Sequence, residues 1–249
     1  MGSGEPETCR VPSTTRWPLI DMRNPRITVI IVTLVSILLF GCDAVEKKEL
    51  SQTPPVVEKP CEKRIVAFGD SLTAGLGVTR EQSYPALLES RLKTDDICIE
   101  VINAGVSGET SSGALSRIDW VLKLKPDIVI LETGANDGLR AIVPSLVKEN
   151  IAQILQTLQD QDVVVVLAGM QMVTNLGPEY TQQFNAIYPA LAAQFEVVFF
   201  PFFLQDVATV ASLNQRDGIH PNGEGYIVIV NNLYPYVQQA VALLNTRDQ

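Results

Sequence analysis

The stretch Arg64-Ile-Val-Ala-Phe-Gly-Asp-Ser-Leu-Thr-Ala-Gly75 decides the fold. Arg64 to Phe68 is a short apolar run without polar alternation, the pattern of a strand buried on both faces. It stops at Gly69, and glycine and small polar residues follow at once. The same switch recurs along the chain. Apolar runs at 97–102, 127–132, 163–167 and 197–200 read as four more strands. Between them, apolar residues spaced by three and four predict helices over 81–93, 112–125, 145–160 and 179–194. A last helix is predicted over 222–244, bent near Pro235. Strands alternating with helices imply right-handed βαβ units, and hence a parallel sheet with helices on both faces. The expected fold class is α/β, a three-layer α/β/α domain over 63–245 with a five-stranded parallel sheet.

The 249 residues include 46% apolar side chains, which suits a globular protein. With 19 basic and 28 acidic side chains the formal charge is −9, which argues against nucleic acid as a partner. The single histidine, His220, excludes any zinc site built on two or three imidazoles, and no metal or cofactor is expected. The same scarcity means that any imidazole-dependent chemistry falls on one residue. A Walker A loop, a Gly-x-Gly-x-x-Gly and a Gly-x-Ser-x-Gly elbow are all missing from the sequence. Ser145-Leu-Val-Lys148 matches Ser-x-x-Lys but falls in a predicted helix without companion motifs.

Residues 27–41 are apolar, uncharged and too short for a comfortable span, with Arg23 and Arg26 before them, as in a signal peptide. Leu39-Phe40-Gly41-Cys42 resembles a bacterial lipobox, which implies that Cys42 carries the lipid and Asp43 follows it as a retention signal of the enteric type. The alternative is an uncleaved anchor helix. Either way the remaining chain is expected outside the cytoplasm, in the bacterial envelope facing the periplasm. Residues 1–41 are then leader, 42–62 a charged, Pro-bearing tether, and Met22 a more ordinary start than Met1. Loss of 1–41 removes Arg10, Arg16, Arg23 and Arg26 with Glu5, Glu7 and Asp21, leaving 15 basic against 25 acidic side chains, a charge of −10. Cys61 and Cys98 precede and open neighbouring predicted strands in a compartment that permits disulfides, so they form either a bridge or two unrelated thiols.

Open parallel sheets bind ligands beyond the carboxyl ends of their strands. Four segments there are rich in Gly and small polar residues: Gly69-Asp-Ser-Leu72, Asn103-Ala-Gly-Val-Ser-Gly108, Gly134-Ala-Asn-Asp-Gly138 and Asp217-Gly-Ile-His-Pro221. Taken singly, Ser71 reads as a helix cap, Gly108 as a loop glycine, Asn136 and Asp217 as turn residues, and His220 as an idle surface imidazole. Together they offer a hydroxyl, a single base and an acid three residues before it. A serine hydroxyl needs a base within hydrogen-bond reach, and that base needs an acceptor to fix its tautomer.

In order and at these strand ends, the four segments resemble the sequence blocks of the SGNH or GDSL hydrolases, over roughly residues 64–240. Gly134-Ala-Asn-Asp-Gly-Leu-Arg140 and Phe184-Asn-Ala-Ile-Tyr-Pro189 look closest to its bacterial thioesterase, lysophospholipase and arylesterase branch. Ala135 departs from the usual second glycine, and the lipobox departs from a branch that is typically soluble. The resemblance implies a flavodoxin-like sheet, Ser71 as nucleophile, His220 as base and Asp217 as its partner. It also implies an oxyanion hole of the Ser71 and Gly108 backbone N–H groups and the Asn136 amide.

The branch also carries a loop after the fourth strand that shapes an acyl groove. Here that loop is Gly169-Met-Gln-Met-Val-Thr-Asn-Leu-Gly177, so Met170, Met172, Val173 and Leu176, with Leu139 and Ile142, are the expected substrate contacts or else ordinary core residues. The acidic surface disfavours anionic acyl-CoA, which leaves aryl or short-to-medium acyl esters and lysophospholipids as expected partners of a monomer. A carbohydrate O-deacetylase and a catalytically silent, lipid-anchored binding module are the alternatives on the same fold.

Overall fold

Five parallel strands run through the computed structural model, which describes residues 61–172 and 176–247: β1 (Lys63–Gly69), β2 (Ile99–Gly105), β3 (Ile128–Glu132), β4 (Val164–Ala168) and β5 (Val198–Phe200). They lie in the order β2-β1-β3-β4-β5. The pairing Ile65↔Ile128 and Ile130↔Val166 places β-branched residues side by side at the centre. Every residue of β3 and β4 is buried, as expected of strands covered on both faces. This is the flavodoxin-like order, in which the chain leaves β1 toward one edge and returns at β3 to build toward the other. The crevice between the carboxyl ends of β1 and β3 is the place such a sheet offers a ligand.

The strands follow the expected runs to within three residues. β2 starts later than its apolar run and continues through Asn103-Ala-Gly105, because Ile97 is still tied to the preceding helix (Ile97 N to Leu92 O, 2.9 Å). Cys98 therefore precedes β2, and it is joined to Cys61 by a disulfide with Cα atoms 5.2 Å apart.

The helices are α1 (Ser71–Ala74), α2 (Tyr84–Thr94), α3 (Ser111–Ser116), α4 (Ile118–Lys123), α5 (Ala135–Leu139), α6 (Pro144–Gln159), α7 (Pro178–Asn185), α8 (Ile187–Phe195) and α9 (Gly223–Arg247). Tyr84, Leu88 and Leu92 are buried along α2, and Ile151, Ile154, Leu155 and Leu158 along α6, on the predicted faces, with Val147 buried where the spacing predicts Leu146, and Leu146 exposed. Two predicted helices are broken. The 112–125 helix breaks at Arg117 (φ −116°, ψ 13°), whose guanidinium is held by Glu109 and lies 4.5 Å from the Phe68 ring. The 179–194 helix divides at Ala186, and Pro189 falls in the first turn of α8, where a missing N–H costs nothing. α9 runs unbroken through Pro235, burying Tyr226, Ile229, Leu233, Val237, Ala240 and Leu244 against the core. α1 and α5 are both too short for a periodic signal, and both sit on the rim where the sequence predicts loops.

Candidate active site

β1 delivers Ser71 to the rim through a tight turn. Asp70 caps α1, its Oδ1 accepting the Leu72 N–H at 2.9 Å, and Gly75 closes the helix at φ +78°. The turn packs closely beneath. A Cβ on Gly69 would lie 2.2 Å from Thr73 Oγ1, and one on Gly105 would lie 2.2 Å from the Ala74 nitrogen. Glycine at these two positions is what lets β1, β2 and the turn approach so closely.

Past β5, the chain returns to the same rim. Asn214 and Pro221 form an antiparallel bridge, Gln215 N donates to His220 O at 2.8 Å, and Gln215 Nε2 donates to Leu76 O at 2.6 Å. The return turn is thus pinned to the loop after α1. His220 Nε2 lies 2.9 Å from Ser71 Oγ, and its Nδ1 lies 2.8 Å from Asp217 Oδ2. Asp217 Oδ1 takes the backbone N–H groups of Ile219 (3.0 Å) and His220 (3.1 Å). The His220 side chain, followed by these two N–H groups, holds the Asp217 carboxyl down at about 2. An ionised carboxylate only accepts, so the imidazole proton sits on Nδ1 and Nε2 is left to accept from Ser71.

Asn136 arrives on α5, which starts after Gly134 at φ +105°. A Cβ on Gly134 would lie 2.2 Å from Tyr188 Oη, so glycine is required there by space as well as by conformation. Ala135, next in line, is accommodated as the first residue of the helix. Asn136 Nδ2 donates to Asp70 Oδ2 at 3.0 Å, tying its amide to the residue before Ser71. Burial pushes the Asp70 carboxyl up to about 6, against the hydrogen bonds from Leu72 and Asn136. Gly108, at φ +79°, is exposed on the loop after β2, and its carbonyl accepts Arg140 Nη2 at 2.9 Å.

The structure adds residues that singly carried no signal. Asp137 is buried and accepts both the backbone N–H and the hydroxyl of Ser111 at 2.7 Å, locking α5 to the start of α3. Asn150 donates to the Ser111 and Ser112 hydroxyls from α6. Arg117 grips Glu109 with two 2.6 Å bonds and reaches Gly69 O at 3.2 Å, bracing the Gly108 loop against β1. Asp137 and Arg140 share the segment of Asn136, and Glu109 adjoins Gly108, so adjacency to the rim glycines was the available clue.

The expected groove residues divide. Met170 is 3% exposed and packs in the core, so it supports the loop from beneath and cannot line an open groove, a correction to the expectation. Met172 is half-buried against Gly138, where a Cβ would lie 2.1 Å from its Sδ. Leu139 is 58% exposed, and Leu176 lines a hollow of about 480 Å³ with Pro178, Tyr180 and Gln183. Ile142 packs against the core, and its carbonyl accepts the Tyr180 hydroxyl at 2.8 Å. Val173 and Cys42 lie outside the described residues.

The profile of the GDSL-like lipase/acylhydrolase family matches residues 67–228. Esterase TesA of Pseudomonas aeruginosa is 35% identical over 201 residues, 80% of this chain and 96% of that protein. Thioesterase 1/protease 1/lysophospholipase L1 of Escherichia coli (strain K12) is 35% identical over 178 residues, 71% of this chain and 84% of that protein. Among solved structures, AlinE4, an SGNH-hydrolase family esterase, is similar with a TM-score of 0.61 at 41% identity, over 72% of this chain and 96% of that one.

Proposed function

This chain belongs to the GDSL-like lipase/acylhydrolase family, and from that premise and the rim geometry we propose that it hydrolyses carboxylic esters through Ser71, His220 and Asp217. The observation that carries the reading is the relay of two hydrogen bonds, 2.9 Å from Ser71 to His220 and 2.8 Å from His220 to Asp217. His220 takes the Ser71 proton as Oγ attacks the acyl carbon, and Asp217 stabilises the imidazolium that forms. The oxyanion is met by the N–H groups of Ser71 and Gly108 and by the Asn136 amide, each such donor worth about 3–4 kcal/mol in the transition state. His220 then returns the proton to the leaving alcohol, and water releases the acid by the same steps in reverse order.

Substrate choice follows from charge. A mature domain with 15 basic and 25 acidic side chains repels anionic acyl-CoA, whereas aryl esters, short-to-medium acyl esters and lysophospholipids with choline or ethanolamine headgroups carry no net negative charge. Exposed Leu139 and the half-buried Met172 supply apolar surface beside Asn136 for the acyl chain. The sequence at 27–42 supports a lipid anchor at Cys42 and a place in the bacterial envelope, where lipid esters are at hand. A panel of p-nitrophenyl esters, lysophospholipid, acetylated sugar and acyl-CoA tests the reading. Turnover is expected on the first two, with acyl-CoA poor at low ionic strength and improving with salt as the repulsion is screened. Preference for the acetylated sugar would replace this reading with a deacetylase, and turnover on none would replace it with a silent binding module.

A further inference from the structure

β3 ends on Glu132, which stands opposite Gly69 in the register and is 0% exposed. No step of ester hydrolysis uses it. Its Oε2 accepts the Thr73 hydroxyl at 2.9 Å and the Asp70 backbone N–H at 3.3 Å, gripping the Ser71 turn at both ends. Tyr84 Oη lies 3.4 Å from Thr73 Oγ1 and extends the chain of polar groups into the core. Glu132 Oε1 is buried without a hydrogen-bond partner among the described residues. The ion pairs among the described residues all lie elsewhere.

The titratable groups that interact with this acid are the Asp70 carboxyl and the phenols of Tyr84, Tyr188 and Tyr226, while His220 acts on Asp70 and Asp137 on Tyr188. Among the described residues no cation pairs with Glu132, and one oxygen of the ionised group would be a bare anionic end in the interior. A second carboxylate alongside adds repulsion, so the pair holds a proton between them. Asp70 has a donor on each oxygen, the Leu72 N–H on Oδ1 and the Asn136 amide on Oδ2, whereas both donors to Glu132 fall on Oε2 and its Oε1 has none. The proton therefore belongs to Glu132, in keeping with burial and the neighbouring Asp70 raising its pKa well above the usual carboxyl range.

We propose that Glu132, as the protonated member of this pair, is a positioning residue: it fixes the turn that carries Ser71 and, through Asp70, the Asn136 amide. The proposal rests on the reading of Ser71 as nucleophile. Glu132→Gln keeps the shape and an acceptor for Thr73 and the Asp70 N–H. Glu132→Leu keeps much of the volume and removes both bonds. Both are compared with the wild type on p-nitrophenyl butyrate from about pH 5 to about pH 9, with circular dichroism as the check on fold. Leu is expected to lower kcat by about tenfold or more with KM changed less than about twofold, and Gln to restore kcat to within about threefold with the wild-type pH profile. A Gln variant as poor as Leu would show that a charged carboxylate is needed and overturn the proposal, as would a Leu variant with wild-type kcat. Should Leu fail to fold, Thr73→Val removes the same bond from the other side. The same loss of kcat is expected of it, and wild-type kcat would overturn the proposal. A wild type that neither turns over ester nor takes up a fluorophosphonate would instead refute the esterase reading itself.

Discussion

Asp217 and Asp70 flank the Ser71–His220 bond, and the protein pulls their acidities in opposite directions. Asp217 is half-exposed and loaded with three N–H donors, which hold it at about 2. It stays ionised over any working pH, so the acid limb of activity does not come from its protonation. Asp70 is buried, and its raised value of about 6 lies above the roughly 3.9 of an unfolded aspartate. A group whose folded pKa is raised contributes stability below its unfolded value and loses that contribution as pH rises through the folded one. Ionised Asp70 is therefore a cost to folding above about pH 6, of order 1–3 kcal/mol, sustained for the sake of the Asn136 amide. Asp70→Asn should reduce, without abolishing, the difference in urea midpoint between about pH 4.5 and about pH 8 that the wild type shows, since Glu132 contributes in the same direction. It should also lower kcat, because its own amide would face that of Asn136 donor to donor. A variant that kept the wild-type pH dependence of stability would separate Asp70 from that cost.

At the scale of elements, the two rims of the sheet do different work. Cys61 and Cys98 staple the starts of β1 and β2, while the chemistry gathers beyond the strand carboxyl ends. The bridge spans 37 positions of sequence, and such a cross-link contributes about 2–4 kcal/mol through the unfolded chain. The Cys61→Ser/Cys98→Ser double variant should lose about that much stability in urea while keeping kcat and KM. A loss of kcat at unchanged fold would mean that the staple reaches the site. The strands and long helices were legible because each buries a continuous or periodic apolar face, as in β3, β4, α2 and α6. Ser71, Asp217 and His220 were legible together through the family resemblance of the rim segments, and the structure brings the three side chains within hydrogen-bond reach. α1 and α5 were not, since four or five residues hold no period. Neither was the break at Arg117, which a side-chain contact with Glu109 eight residues away decides. Glu132 read only as the end of a strand, since its partners Thr73 and Asp70 lie 59 and 62 positions away.

For the whole molecule, one histidine and an excess of acid set the terms. The lone imidazole stands between Ser71 and Asp217, so the fold provides one base for one hydroxyl. On the proposed reading, the excess of acidic side chains favours neutral and zwitterionic esters over anionic ones. Fluorophosphonate labelling followed by peptide mapping tests the central claim most directly, because an activated serine is phosphonylated in proportion to its activation. A single adduct on Ser71 is expected in the wild type and none in Ser71→Ala, with labelling of His220→Ala slowed by about a thousandfold or more. An adduct on another serine, or His220→Ala labelled at the wild-type rate, would contradict it.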